Sequence, residues 1–139
     1  MKAVLHVDGA SRGNPGEAGA GFWLHDGQGQ RIAQVSRYVG VSTNNVAEYM
    51  ALIWGLEEAK RLGVRDITIK TDSELVVRQV QGIYRVRHDN LTPLFNRTMG
   101  ILKGFQHWEI LHIPRALNKE ADKLANQAID GSSSLQIRF

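Results

Sequence analysis

Residues 44–72, "NNVAEYMALIWGLEEAKRLGVRDITIKTD", contain the change of period on which the fold turns. Val46, Met50, Ile53 and Leu56 recur at helical spacing, and Gly63 stands where a C-terminal cap belongs. From residue 64 the pattern becomes a short β-branched strand, "VRDITIKTD", which ends on Asp72. A long helix leading directly into a strand is the mark of a crossover. It returns the chain parallel to an earlier strand of the same sheet.

Upstream of this crossover lie three strand-like segments, "KAVLHVD" (2–8), "GAGFWLHD" (19–26) and "RIAQVSRYVG" (31–40). The last two are joined by "GQGQ", a glycine-containing hairpin signal, so the three are expected to form an antiparallel meander. Downstream, "SELVVRQVQG" (73–82) reads as a second helix from a Ser73 cap to Gly82. After a polar connection (83–90), "LTPLFNRTMGILKG" (91–104) reads as a third helix with Pro93 in its first turn. "HWEILHIP" (107–114) is a fifth strand stopped by Pro114, and "NKEADKLANQAID" (118–130) is a last helix with Asn118 at its cap. The order βββαβααβα predicts an α/β fold: one five-stranded mixed sheet, three strands antiparallel and then two parallel, with helices on both faces. One domain is expected over residues 1–131, with a tail over 132–139. Gly131 should end the last helix. Leu135, Ile137 and Phe139 then alternate with Gln136 and Arg138, a half-buried strand pattern that predicts a docked tail.

Composition sets the remaining limits. The 139 residues, 42% hydrophobic and 22% charged, suit one globular core. The absence of cysteine excludes a disulfide framework and a thiolate zinc site. Residues 2–8 already read as strand, without a basic n-region and apolar h-region, and no apolar run is long enough to span a bilayer. A cytoplasmic monomer without membrane contact is the expectation. The 17 Lys and Arg against 14 Asp and Glu give a mild positive charge. If four acids are committed to a metal, 17 basic groups face 10 acidic ones, a balance that suits a polyanion.

Four carboxylates are placed for such a commitment. Asp8 and Asp72 each close a strand, and parallel pairing sets both at the carboxyl edge where open α/β sheets bind ligands. Glu48 in the first turn of the long helix and Asp122 in the first turn of the last start from the same edge. Singly, each has an ordinary explanation. Glu48 stands three residues after Asn45 as a capping-box partner, and Asp122 favours a helix N-terminus. Asp72 before Ser73 and Asp8 before Gly9 are common turn pairs. Together they repel unless a cation joins them, and hard oxygen donors without His or Cys select Mg²⁺ or Mn²⁺. Two such ions about 3.5–4 Å apart serve in-line displacement at a phosphodiester.

"DGASRGNPGEAGAG" (8–21), "STNNVAEYMALIWGLE" (42–57), "TDSELVV" (71–77) and "PRALNKEADKLAN" (114–126) occur together in an order and spacing that resembles the type 1 ribonuclease H family. The resemblance covers essentially residues 2 to 130. It implies a ribonuclease H-like fold and hydrolysis of the RNA strand of RNA·DNA hybrids, leaving a 5′-phosphate and a 3′-hydroxyl. Asp8, Glu48, Asp72 and Asp122 match the family's metal-binding carboxylates, with Asp8 as the bridge between two Mg²⁺ ions and Mn²⁺ as an alternative. Asn14, Asn44 and Asn45 match hybrid contacts, where their amides would meet 2′-hydroxyls and base edges in the wide minor groove. Thr43 and Asn14 resemble a pocket for a DNA-strand phosphate, although turn and cap chemistry accounts for Thr43 equally well. Gly9 and Ser73 flank the aspartates and are expected to touch substrate. The glycines after Asp8 are expected to let the backbone approach a sugar-phosphate chain.

The chain departs from the family twice. Many bacterial members carry a basic helix-loop insertion after the second helix; here only "GIYRVRHDN" (82–90) lies there, with Arg85 and Arg87 as a small basic rim. Where many members have a histidine before the last helix, "HIPRALNKEAD" offers Arg115. An arginine stays charged at working pH, so it would hold the scissile phosphate or help product leave rather than accept a proton. His6 and His112 alternate with apolar strand positions and read as structural or site-flanking rather than as ligands. Two other functions compete: a broader nuclease that also cuts double-stranded RNA, and a non-catalytic hybrid-binding module. The four carboxylates weigh against the module, because binding alone favours fewer negative charges beside phosphate.

Overall fold

The meander forms as the pattern demands: β1 (Lys2–Ser11), β2 (Gly16–Asp26) and β3 (Arg31–Ser42) pair antiparallel in sequence. The structure, a computed structural model, describes residues 1–138, with side chains as far as Gly131. Helix α1 (Asn44–Arg61) crosses over to β4 (Asp66–Thr71), which pairs parallel with β1. Helices α2 (Glu74–Val80) and α3 (Thr92–Leu102) lead to β5 (His107–His112), parallel to β4. A 3₁₀ turn (Arg115–Leu117) precedes α4 (Lys119–Arg138). The sheet order is β3-β2-β1-β4-β5.

The two faces are built differently. On one, Leu5, Val7, Phe22, Leu24, Ile67 and Ile69 bury against Tyr49, Leu52 and Leu56 of α1. α1 packs on the sheet and on α3, so it is buried on more sides than its sequence stripe implies. Ala47, Ala51 and Ala59 are fully buried, whereas Val46 and Met50 are only half-buried. The Thr43 hydroxyl caps α1 by accepting from the Val46 N–H at 3.3 Å, and the Ser73 hydroxyl caps α2 through Val76 at 3.3 Å.

On the other face α4 lies directly on β2. A Cβ placed on Gly21 would stand 2.4 Å from the Ala125 nitrogen, and one on Gly19 would stand 2.2 Å from the Ala125 carbonyl oxygen. Gly9 faces α1, where a Cβ would meet the Glu48 nitrogen at 2.3 Å. These glycines therefore admit helices to contact distance with the sheet. Packing inside the protein thus requires the glycines at 9, 19 and 21.

One boundary also differs from expectation. Gly131 does not end α4, which continues to Arg138; no positive φ is found at that glycine. Extending a formed helix through one glycine costs about 1 kcal/mol, whereas a new strand must first order its own backbone. The side chains of Leu135 and Ile137 and the whole of Phe139 lie outside the described residues, and with them the expected docking. No helix among the described residues is long and apolar enough to cross a membrane.

His6 packs against its neighbours on the sheet. Its ring stacks on Trp23 with centroids 4.3 Å apart, and its Nε2 lies 3.2 Å from His25 Nε2. Burial, then the neighbouring His25, Lys70 and Arg31, lower its pKa from 6.5 to about 4. A histidine held neutral by the fold contributes stability above the unfolded pKa and loses it as pH falls from 6.5 towards 4. Acid should therefore destabilise the wild type more than His6→Gln over the same interval. Urea unfolding at several pH values measures this. Parallel pH profiles for the two proteins would contradict it.

Candidate active site

The edge where the carboxylates meet is defined by where hydrogen bonding stops. β1 and β2 stay paired as far as Ser11↔Ala18, but the β1–β4 ladder ends at His6↔Lys70. Asp8 thus lies inside β1 rather than at its end, and it is the pairing with β4 that gives out before it. Asp72 follows the last residue of β4, Thr71. Asp8 is paired with Gly21 and so faces α4, while Gly9 faces α1.

Glu48 is placed by α1. The helix begins at Asn44 under the Thr43 cap, so Glu48 falls beyond the first turn, which holds no acid. The capping-box role is thereby excluded. Glu48 is 4% exposed and Asp8 5% exposed. One oxygen from each of Asp8, Glu48 and Asp72 falls within 4.8 Å of the others. Asp122, in the first turn of α4, stands beside Asp8 from the other side and is not part of that trio. Asp8 is accordingly the carboxylate common to both groupings.

The electrostatics of this cluster are adverse as it stands. Burial, and then the charge of Glu48, push the Asp8 carboxyl far above the usual carboxylate range, with Asp72 and Asp122 adding to the rise. Burial likewise raises Glu48, against the opposing effect of hydrogen bonds from Asp8 and from the Gly9 N–H. The buried Glu48 Oε2 has no hydrogen-bond partner, and neither Asp8 nor Glu48 has an ion-pair partner among the described residues. Crowded oxygens, one of them orphaned and buried, with no nitrogen or sulfur donor in the trio, fit a hard divalent cation.

A cleft of about 330 Å³ opens over the cluster, lined among others by Gly9, Asn44, Ser73, Arg115 and Asn126. Asn14, Thr43 and Asn45 lie outside its lining. Asn14 Oδ1 instead accepts from the Asn44 N–H at 3.2 Å, tying the β1–β2 loop to the start of α1. Arg115 sits exposed in the 3₁₀ turn at the rim.

Three side chains that support the site are not signalled as such by the sequence. Asn126 Nδ2 donates to the Asp122 carbonyl at 3.0 Å and to its carboxylate at 3.4 Å, the i, i+4 geometry of a helix face. Arg12 holds Asp130 at 2.6 Å and reaches Asn126 Oδ1 at 3.4 Å, fastening the β1–β2 loop to α4. Asn118, expected only as a helix cap, turns its amide inward to the Val7 carbonyl at 2.9 Å. The placement of Asn118 and Asn126 four residues either side of Asp122 was the available signal for the first and third.

Comparison with known proteins agrees with this geometry. The profile of the family described as reverse transcriptase-like matches residues 6–128. The chain is 45% identical over 125 residues to the ribonuclease HI of Halobacterium salinarum, covering 90% of this chain and 63% of that protein. It spans 37% of the length of a second curated relative and as little as 20% of another. Among solved structures, RNase H1 from the halophilic archaeon Halobacterium salinarum superposes with a TM-score of 0.92 at 43% identity, over 94% of this chain and 99% of that one. LC11-RNase H1 in complex with an RNA/DNA hybrid superposes with a TM-score of 0.89 at 39% identity, over 94% and 98% of the two chains.

Proposed function

The chain belongs to the ribonuclease HI family, and we propose that it is an endonuclease that hydrolyses the RNA strand of RNA·DNA hybrids. The observation that carries this reading is the trio of buried Asp8 and Glu48 with half-buried Asp72, one Glu48 oxygen unpartnered, set under an open polar cleft. Its likeness to a ribonuclease solved with an RNA/DNA hybrid supports the substrate.

Asp8, Glu48 and Asp72 would hold one Mg²⁺, and Asp8 with Asp122 a second, Mn²⁺ being an alternative ion. Ions bound there supply Lewis-acid stabilisation of charge on the phosphate and lower the pKa of water. The chain's own groups do the rest. The carboxylates exclude other anions from the floor of the cleft until cations are present. Arg115 at the rim is placed to hold the scissile phosphate by charge-assisted hydrogen bonds. Asn44 and Ser73 line the cleft with hydrogen-bonding groups for a 2′-hydroxyl, the group that separates RNA from DNA at a given position. Asn14, Thr43 and Asn45 are assigned to the flanking duplex, Asn14 and Thr43 to the DNA-strand phosphate and Asn45 to the minor groove. Cleavage of the P–O3′ bond places the water oxygen on phosphorus and a proton on O3′, leaving a 5′-phosphate and a 3′-hydroxyl. Residues 1–131 are the catalytic unit, which acts as a monomer in the cytoplasm.

Matched RNA·DNA, RNA·RNA and DNA·DNA duplexes, assayed with Mg²⁺ and with EDTA, test the reading. Only the hybrid should be cut, only in its RNA strand and only with metal. Equal cleavage of duplex RNA would mark a broader nuclease, and binding without cleavage would mark a binding module. Arg115→Ala should lower turnover at saturating hybrid about 10²-fold, as loss of one charge-stabilising donor does. Metal affinity measured by calorimetry should be retained. Unchanged turnover would remove Arg115 from the site.

A further inference from the structure

We infer that Asn118 is a positioning residue that fixes the spacing of the metal-binding carboxylates by bridging two strands beyond the end of their own ladder. The inference rests on the functional reading above. Paired strands need no bridge, but β1 and β4 stop pairing at His6↔Lys70, two residues short of both Asp8 and Asp72. At that gap the two acids repel each other across strand ends with no shared backbone hydrogen bond to hold them.

Asn118 fills the gap from a third element. Its Nδ2 donates to the Val7 carbonyl at 2.9 Å, one residue before Asp8, and to Asp72 Oδ1 at 3.4 Å. Its backbone carbonyl accepts from the Asp122 N–H at 3.1 Å, the bond that opens α4. One residue is therefore linked to three of the four carboxylates: to Asp8 through its chain neighbour, to Asp72 by its side chain, and to Asp122 by its backbone.

The orientation of the amide follows from its partners. Val7 O and Asp72 Oδ1 are both acceptors, so the nitrogen must face them and the oxygen must face away. That oxygen, Oδ1, is buried without a partner in a residue only 2% exposed. An orphaned buried acceptor costs stability. A residue kept for packing alone would be better served by an apolar side chain, whereas a two-donor bridge requires the amide and accepts its orphaned end.

The test compares wild-type chain with Asn118→Asp and Asn118→Ala, by calorimetric titration with Mn²⁺ in the absence of substrate and by circular dichroism for fold. Loss of a group that orients a ligand lowers metal affinity about 10–100-fold, and both variants should fall in that range. Asn118→Asp is nearly isosteric and so keeps the packing if Asn118→Ala does not fold. It is also the sharper variant, since an added carboxylate acting by charge alone would tighten Mn²⁺ binding, while a lost donor weakens it. The metal concentration for half-maximal cleavage should rise by the same factor, with KM for the hybrid changed less than about twofold. Wild type that binds Mn²⁺ beside a folded variant that binds it as tightly overturns this inference alone. Wild type that neither binds Mn²⁺ nor cleaves hybrid overturns the functional reading and this inference with it.

Discussion

Asp8→Asn is expected to reduce hybrid cleavage by at least about 10²-fold, the lower end of what a single catalytic group contributes, while hybrid affinity is kept or improved. Asp8 is the carboxylate shared by the Glu48–Asp72 trio and by Asp122, so its loss removes a ligand from both groupings. Binding survives because a negative charge beside the phosphates has gone. The same variant should be more stable than wild type without metal. The Asp8 carboxyl is raised, first by burial and then by Glu48, so in the folded state it resists ionisation. Such a group stabilises the fold below its unfolded pKa, and that contribution is lost as pH rises towards the folded value. Metal-free wild type should therefore weaken relative to Asp8→Asn with rising pH. Divalent ion should reverse the difference, raising the wild-type Tm and leaving the variant's nearly unchanged. Thermal melts at pH 6 and 8 with EDTA or Mg²⁺, beside a cleavage assay, measure both effects. Cleavage above a hundredth of wild type, or equal Mg²⁺ stabilisation of both proteins, would contradict a shared metal cluster.

Sequence revealed the element order and the four acids because both are written locally. The helix of 44–61 follows from its apolar spacing and the Gly63 stop, and the strand of 66–71 from its β-branched run. Asp72 and Asp122 stand at transitions between elements, and Asp8 and Glu48 within a few residues of one, where a single chain can be read in order. What it could not reveal is any relation fixed between distant segments. Asp8 reads as a strand end, yet the β1–β4 ladder stops two residues before it at His6 and the β1–β2 ladder continues past it to Ser11; neither ladder's length is written in β1. Glu48 reads as a cap partner until the Thr43 hydroxyl is seen to do the capping. Asn118 and Asn126 look like ordinary helix asparagines, since their partners, Val7 and the Arg12-anchored loop, lie more than a hundred residues away in the chain. At Gly131 local punctuation misled, because an established helix crosses one glycine more cheaply than it yields to a new element.

The glycines of β2 give the largest expected effect on stability. Gly21→Ala would place a Cβ 2.4 Å from the Ala125 nitrogen, 2.5 Å from the Ala121 carbonyl oxygen and 2.7 Å from Leu124 Cβ. The first two are backbone atoms of α4, so no rotamer change relieves the clash and the helix itself must lift. Overpacking that moves only side chains costs about 1–3 kcal/mol; here the upper end or more is expected. For a chain of this length that corresponds to a fall in Tm of about 10 °C. The displacement also reaches the chemistry. α4 carries Asp122 and Asn126, and Asn118 immediately precedes it, so a lifted helix withdraws one carboxylate and loosens the bridge between Val7 and Asp72. The folded fraction at low temperature should therefore cleave hybrid more slowly than wild type and need more Mg²⁺ to do so. Gly27→Ala is the control, since a Cβ there meets nothing within 4 Å and the glycine has no positive φ. Its Tm should stay within about 2 °C of wild type, as exposed sites without special contacts do. If Gly21→Ala behaves like that control, α4 does not rest on β2 at contact distance, and the placement of Asp122 over Asp8 loses its support.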